Sequence, residues 1–390
     1  MLARFAMGLP SFNEADTIAT VTADVDAALQ SLPFDASAVV VNADNSSPDG
    51  TAETFLRVPT AAPKQVITTP YRAGKGANVR ALLEFAREDD CDGLLLVDSD
   101  LAEVPTTWIH ALLGEIRGGA EFCYPLRAAT WNGGDLTYHL AYPILAGAFG
   151  IDLREPLCGE VAISRRGVDR LLHTAWHPED SGFGVDLLMA SVAARGGWTA
   201  VQLHPRRRNK LRSFSPDADG LRMGAKFAES AAAARHRVGD RLAEPPPAAL
   251  VPSPADAPPD TRGLVPLRDP DIEQLSAGTT RWLRDSVRDD SLAALPAHVR
   301  DGLAALIRCG DIAAGLPWPL WRDCLIAWIS EQPSASADTP VSLLETLFLA
   351  RVVGHHTEIA GRTDWYATVR AQARDMFDHR HGLWNAFRAT

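Results

Sequence analysis

The run Gly93-Leu94-Leu95-Leu96-Val97 constrains this chain more than any other feature, because it has no polar side chain and stops at Asp98-Ser99-Asp100. A strand apolar on both faces needs helices on both sides of its sheet, the usual setting of a parallel strand. Strand-like runs also lie at Phe5–Leu9, Ala38–Val41 and Gln65–Thr68. Between them, Thr17–Leu32 carries Ile18, Val21, Val25 and Leu29 at helical spacing, and Gly76–Glu88 reads as a second helix. This βαβαβ alternation predicts an α/β fold with a Rossmann-like, mostly parallel sheet and helices on both faces. Such sheets bind ligands at the carboxyl ends of their strands.

Beyond about residue 240 the texture changes. Glu244–Asp260 holds seven prolines, at 245, 246, 247, 252, 254, 258 and 259, which excludes a helix or a central strand. From Asp271 onward the pattern is helical, with Trp318, Trp321, Leu325 and Trp328 on one face and a second apolar helix over Leu343–Val353. The expected organisation is an α/β domain (1–240), a proline-rich linker (241–265) and a helical C-terminal region (266–390). The apolar helices of that region either pack onto the first domain or form a homodimer interface.

With 390 residues, 46% of them hydrophobic, the chain can bury a sizeable core. Its 38 basic and 49 acidic residues give a net charge of -11, which argues against general nucleic-acid binding. That function needs a basic face to replace phosphate counterions. Cys91, Cys123, Cys158, Cys309 and Cys324 include no Cys-x-x-Cys pair, a pattern of a reducing compartment rather than a zinc cluster or disulfide framework. The apolar run in Met1–Pro10 is broken by Arg4 and too short for a signal peptide, and no run reaches the ~20 residues of a membrane span. A soluble, cytoplasmic protein is the expectation.

Asp98 and Asp100 stand at the end of the buried strand, where alternation along an extended chain points them to the same side. Two hard oxygen ligands suit Mg²⁺ or Mn²⁺, which keep open positions for phosphate oxygens. Such a metal would neutralise the charge building on a departing nucleoside diphosphate. The same aspartates would also serve as a helix N-cap, and the motif alone leaves both readings open. Arg72-Ala73-Gly74-Lys75-Gly76 lies directly before a predicted helix. Its glycines let backbone approach phosphate, the helix N-terminus favours anions and Lys75 adds a full charge, although a solvated turn has the same composition. It is not a Walker loop, which has a longer spacing and a Ser or Thr after the Lys.

Pro10-Ser11-Phe12-Asn13-Glu14 follows the first strand, where a base or ribose would sit, and doubles as a helix start capped by Asn13 or Ser11. The stretch from Asp44 through Ser46 to Ser47 follows the second strand and either receives the ribose or base or simply closes a turn. Arg206, Arg207, Arg208, Lys210 and Arg212 form a basic run in an acidic protein. They make either a solvated strand edge or a subsite for a diphosphate, or for an acceptor carboxylate or phosphate.

Five segments recur in order: Pro10-x-x-Asn13-Glu14, Gly74-Lys75-Gly76, Val97-Asp98-Ser99-Asp100-Leu101, Glu155-Pro156-Leu157-Cys158-Gly159-Glu160, and Gly182-Phe183-Gly184-Val185-Asp186. Together they resemble the retaining GT-A-fold glycosyltransferases glucosyl-3-phosphoglycerate synthase and mannosylglycerate synthase, over roughly residues 5–215. The Pro-Leu-x-Gly-Glu element is the most specific of them. The resemblance implies a nucleoside diphosphate sugar donor, with Pro10, Phe12, Glu14, Asp44 and Ser46 around the nucleoside and Lys75 on the donor. It implies that Asp98 and Asp100 frame the sugar nucleotide and the metal, and that Leu157 and Gly159 lie beside the reacting sugar carbon. Asp186 would bind donor-sugar hydroxyls, and it looks like the mannose enzyme where the glucose enzyme has Glu. Gly159, Arg208 and Arg212 are the acceptor-side candidates.

The implied reaction is front-face attack with retention, the acceptor hydroxyl approaching as the diphosphate leaves. It needs no side-chain nucleophile, and Glu160 and Asp186 are the carboxylates to test. One departure stands out. The family takes a third metal ligand from a His followed closely by Arg, and here Lys210 holds that place. A lysine cation cannot ligate a metal. Either His204 or Asn209 serves, or the third ligand is absent, or Lys210 itself neutralises the diphosphate.

The expected function is transfer of mannose or glucose from GDP-mannose or UDP-glucose to a small hydroxylated acceptor such as glycerate or 3-phosphoglycerate. One alternative is transfer to a growing oligosaccharide, as by an α-mannosyltransferase. Trp318, Trp321 and Trp328 would then shape the acceptor groove, although they fit a helix-packing core equally. Another is a non-catalytic sugar-nucleotide-binding scaffold. A nucleotidyltransferase would carry a glycine-rich N-terminal loop followed by Arg and Lys, which Leu9–Glu14 lacks.

Overall fold

A computed structural model describes residues 2–127, 135–203, 224–253, 269–288, 292, 295–330, 341–360 and 362–388. Strands β1 (Ala3–Ser11), β2 (Ala36–Asp44), β3 (Lys64–Thr68), β4 (Gly93–Leu96), β5 (Phe122–Arg127), β6 (Ala162–Ser164) and β7 (Trp198–Leu203) form one sheet, in the order β3-β2-β1-β4-β6-β5-β7. β1 runs parallel to β2 and β4, β2 to β3, and β5 to β7. β6 is antiparallel to both its neighbours. The mostly parallel sheet expected from the βαβαβ rhythm is therefore present.

The helices of this unit are α1 (Ile18–Gln30), α2 (Thr51–Arg57), α3 (Lys75–Glu88), α4 (Thr106–Arg117), α5 (Arg165–His173) and α6 (Val185–Gly196). Ile18, Val21 and Val25 of α1 join Trp108, Ile109, Leu112 and Leu113 of α4 against Phe5, Met7, Leu9, Leu95 and Val97. On the opposite face Leu82 of α3 and Leu94 of β4 lie over Gly8. Cover on both sides is why β4 tolerates an uninterrupted apolar run. Each such buried Leu or Val is worth about 1.5–3 kcal/mol relative to exposure. The register then aligns the strand ends. Ser11 faces Asp44, Asp44 faces Thr68, and Leu96 faces Gly8, so the residues after β4 emerge beside the tip of β1.

The packing divides the described chain into two compact units, one holding residues 2–127, 154–203 and 253, the other 135–153, 224–252 and the helices from 269 onward. The sequence suggests a single cut near 240, whereas these units interleave. Thr137–Ala141 and Leu145–Phe149, both wound as π-type turns around one α turn at Tyr142–Ile144, belong to the helical unit. So does α7 (Ala225–Leu242). The first part of the expected linker is also anchored there, by a parallel bridge between Ile151 and Val251. Residues 254–265 of that linker lie outside the described residues.

The helical unit continues through α8 (Asp269–Arg288), α9 (Ala297–Cys309), α10 (Trp318–Ser330), α11 (Val341–Ile359), α12 (Trp365–Asp378) and α13 (His381–Arg388). Trp318, Trp321, Leu325 and Trp328 of α10 are all buried, and the Trp321 indole donates to the His139 carbonyl at 2.7 Å. They form a core, which removes the basis for a tryptophan-lined acceptor groove. Among the described residues no helix is long and apolar enough to cross a membrane.

This core also encloses titratable groups. His139 is fully buried, its ring centroid 4.6 Å from that of His355. Nε2 of His139 and Nε2 of His356 each lie 4.0 Å from Asp135 Oδ1. Arg351, also fully buried, donates to Glu358 at 2.6 and 2.5 Å and to the Leu316 carbonyl at 2.7 Å. Burial and then the Arg351 charge push His356 down to about 4; His139 and His355 are likewise pushed well below the ordinary imidazole range, first by burial. Burial raises the Asp135 carboxyl to about 7.

The signs oppose. Imidazoles with depressed pKa values contribute stability that is present above their unfolded pKa and lost as pH falls towards the folded value. Asp135 does the reverse, contributing stability at low pH that is lost as pH rises through about 7. Three histidines outweigh one carboxyl, so the melting temperature should fall by several degrees between pH 7 and pH 5. His139→Leu should flatten that fall. Equal melting temperatures at the two pH values for the unmodified chain would contradict the assignment.

Candidate active site

The site is built where β1, β2, β3 and β4 end. Val97 donates its N–H to the Gly8 carbonyl at 2.9 Å, and the Ser99 hydroxyl donates to the Pro10 carbonyl at 2.9 Å. These bonds tie the Asp98-Ser99-Asp100 segment to the first loop. Asp98 is 8% exposed, and Asp100 is half-buried. Gly159 lies directly against Asp98, since a Cβ at 159 would fall 2.0 Å from both Cγ and Oδ1 of that aspartate. The most specific motif segment and the strand-end carboxylate thus meet.

Lys75 is the first residue of α3, and its Nζ lies 3.6 Å from Asp98 Oδ1 and 2.9 Å from Asp186 Oδ1. Asp186 sits in the first turn of α6, where the helix dipole favours a carboxylate. Burial works against the Lys75 charge, but Asp186, Asp98 and then Glu160 more than compensate and raise its pKa above the ordinary lysine range. Glu160 is 1% exposed. Leu157 is half-buried in the same segment.

The glycines around Lys75 serve the chain itself. A Cβ at Gly76 would fall 1.8 Å from the Asp180 carbonyl oxygen, and one at Gly74 would fall 2.4 Å from that of Ser181. Gly76 donates its N–H to the Gly182 carbonyl at 3.1 Å. The turn Pro178–Ser181 is held by the His177 N–H donating to Asp180 Oδ2 at 2.7 Å. From the sequence these glycines suggest backbone open to phosphate. In the structure they clamp the Lys75 loop against the segment leading into Asp186.

The nucleoside candidates lie around the tips of β1 and β2. Asp44 accepts from the Ser11 hydroxyl at 3.0 Å and from the N–H and hydroxyl of Ser47 at 2.7 and 2.6 Å, which is its turn-closing role. Ser46 donates to the Thr69 carbonyl at 2.7 Å, and Glu14 accepts from the Thr17 hydroxyl at 3.2 Å. Asn42, Thr69 and Asn78 complete a buried polar network joining these loops. Phe12 meets Tyr71 edge to face at 5.8 Å, with the Arg72 guanidinium 5.9 Å from the Phe12 ring and 5.3 Å from the Tyr71 ring.

Tyr71, 57% exposed, and Tyr124 are site features that sequence reasoning missed. An aromatic beside Arg72 in a strand-to-helix turn was the available signal for the first. Tyr124 on β5 carried none. Its hydroxyl is buried without a hydrogen-bond partner among the described residues, and burial, then Cys158 and Asp186, push its pKa well up. His204, Arg208, Asn209, Lys210 and Arg212 lie outside the described residues.

Residues 8–166 match the family described as Glycosyl transferase family 2. No curated protein matches the chain. Among solved structures, glucosyl-3-phosphoglycerate synthase from Mycobacterium tuberculosis in complex with phosphoglyceric acid is similar at 22% identity and a TM-score of 0.48, covering 61% of this chain and 80% of that one. The same enzyme with Mn²⁺, UDP-glucose and phosphoglyceric acid is similar at 22% identity and a TM-score of 0.48, over 67% of this chain and 90% of that one. The matched span contains Lys75, Asp98, Gly159 and Glu160, so the part of the chain that holds most of this site is similar to a glycosyltransferase family 2 domain.

Proposed function

We propose that this enzyme moves mannose or glucose from GDP-mannose or UDP-glucose to a small hydroxylated acceptor such as glycerate or 3-phosphoglycerate, with retention at the sugar carbon. The observation that carries the reading is the meeting of Asp98, Lys75, Gly159 and Asp186, drawn from four separate motif segments. Asp186 and Asp98 are the donor-sugar carboxylates, and Glu160 completes the buried acidic group. Phe12, Tyr71 and Arg72 offer a cationic and aromatic surface to the base.

Asp98 and Asp100 offer hard oxygen donors of the kind Mg²⁺ and Mn²⁺ take, and Asp100 is partly open to solvent. They would hold the divalent ion, which supplies charge neutralisation at the departing diphosphate. The chain's own contribution is positioning. Gly159 keeps Asp98 in place, and the Gly74–Gly76 clamp keeps Lys75 beside the sugar-binding carboxylates. A front-face reaction asks the protein for this orientation rather than for a nucleophile. Cys91, Cys123, Cys158, Cys309 and Cys324 form no disulfide among the described residues, which fits a reducing cytoplasm.

A thermal-shift panel of UDP-, GDP- and ADP-sugars with Mg²⁺ or Mn²⁺ tests the donor. At 100 times its Kd a ligand stabilises by ~2.7 kcal/mol, a rise of several degrees. GDP-mannose or UDP-glucose should raise the melting temperature, and acceptor should then accelerate nucleotide release. No shift with any of the sugars contradicts the reading, and binding without acceptor-stimulated release supports the scaffold instead.

A further inference from the structure

We propose that Lys75 is a resident counter-cation of the donor site, occupying the charge position that a divalent metal would otherwise share with Asp98, so that the metal binds together with a nucleoside diphosphate rather than before it. The inference rests on the donor-site reading above and concerns the order in which that site fills.

Lysine at the first position of a helix is disfavoured, because the positive end of the helix dipole repels it. The place of the Lys75 ammonium is explained by its partners, Asp186 at 2.9 Å and Asp98 at 3.6 Å. The contact is sheltered, with 18% of the Lys75 side chain, 11% of that of Asp98 and 9% of that of Asp186 exposed. Shelter from water and salt preserves charge interactions that a surface pair would lose.

The ammonium is also mechanically held. Gly76 meets Asp180 and Gly74 meets Ser181 too closely for any side chain, and the Gly76 N–H is bonded to the Gly182 carbonyl. Asp98 is backed by Gly159 and has no room to retreat on that side. A metal bonded to Asp98 Oδ1 at about 2.1 Å would lie within about 6 Å of the ammonium. Two cations that close are mutually repelled. A diphosphate brings the negative charge that lets both remain, which couples the two ligands.

Mn²⁺ binding, followed through the paramagnetic signal of the free ion, tests this on the full chain with and without UDP or GDP. For the unmodified protein we expect Mn²⁺ affinity to rise at least tenfold when the nucleotide is present. Lys75→Met should bind Mn²⁺ alone at least fivefold more tightly than the unmodified protein and show a smaller rise with nucleotide. Lys75→Arg, which keeps the charge, should stay weak. Lys75→Gln carries the same expectation as Lys75→Met, with a polar side chain that keeps the buried loop folded. If nucleotide promotes Mn²⁺ binding but neither neutral variant gains affinity for the metal alone, the counter-cation role is overturned and the donor site stands. Mn²⁺ binding to the unmodified protein that is equally tight without nucleotide overturns the role as well. Absence of Mn²⁺ binding under every condition overturns both readings.

Discussion

Replacing Gly159 with alanine is expected to lower turnover by about 10²-fold, the scale of loss that follows a displacement of roughly 1 Å at a reacting centre. The added carbon would sit 2.0 Å from Cγ and Oδ1 of Asp98 and 2.1 Å from its Oδ2. That is well inside contact distance, so either the aspartate rotates away or the segment carrying Gly159 shifts. Rotation breaks the approach of Asp98 to Lys75, now 3.6 Å, and a shift moves Leu157 and Glu160 with it. Both routes separate groups that the site brings together. The measurement is acceptor-dependent nucleotide release, with donor binding followed in parallel by thermal shift. Asp98→Ala should show a loss of similar size. Activity of Gly159→Ala within threefold of the unmodified enzyme would show that Asp98 is not held by this contact.

Gly76→Ala should cost about 3 kcal/mol of stability and lower the melting temperature by about 4–7 °C. Helix propensity alone favours the substitution by about 1 kcal/mol, because alanine is the better helix former. The clash decides the sign. The new carbon would lie 1.8 Å from the Asp180 carbonyl oxygen and 2.8 Å from its carbonyl carbon, which are backbone atoms of a capped turn. Relief requires parting the two segments, with loss of the bond from the Gly76 N–H to the Gly182 carbonyl. Gly114→Ala in α4 is the matched control, because nothing lies within 4 Å of the added carbon. It should stabilise by about 0.5–1 kcal/mol. Two substitutions of the same kind with opposite signs separate packing from propensity. If both stabilise, the clamp between the Lys75 loop and the 180–182 segment is absent.

The local sequence determined strands β1 to β4 and their carboxyl ends. A buried apolar run followed by carboxylates, apolar residues at helical spacing in α1 and a glycine-flanked lysine at the start of α3 are each legible over a few residues, because backbone periodicity and turn chemistry are short-range. The antiparallel three-residue strand β6 was not legible, since so short a segment carries no period. Nor was the inclusion of 135–153 in the helical unit, because which core a buried apolar stretch joins depends on partners distant in the chain. Residue identities likewise placed Asp98, Lys75, Gly159 and Asp186 in motifs without saying what each touches. Only the tertiary structure decided that Gly74 and Gly76 press on the chain's own backbone and that Gly159 backs Asp98. It also set Lys75, from the start of one helix, against the carboxylate that opens another. Glycine has no side chain to reveal its neighbour, and an ion pair between residues 75 and 186 is fixed by folding rather than by spacing.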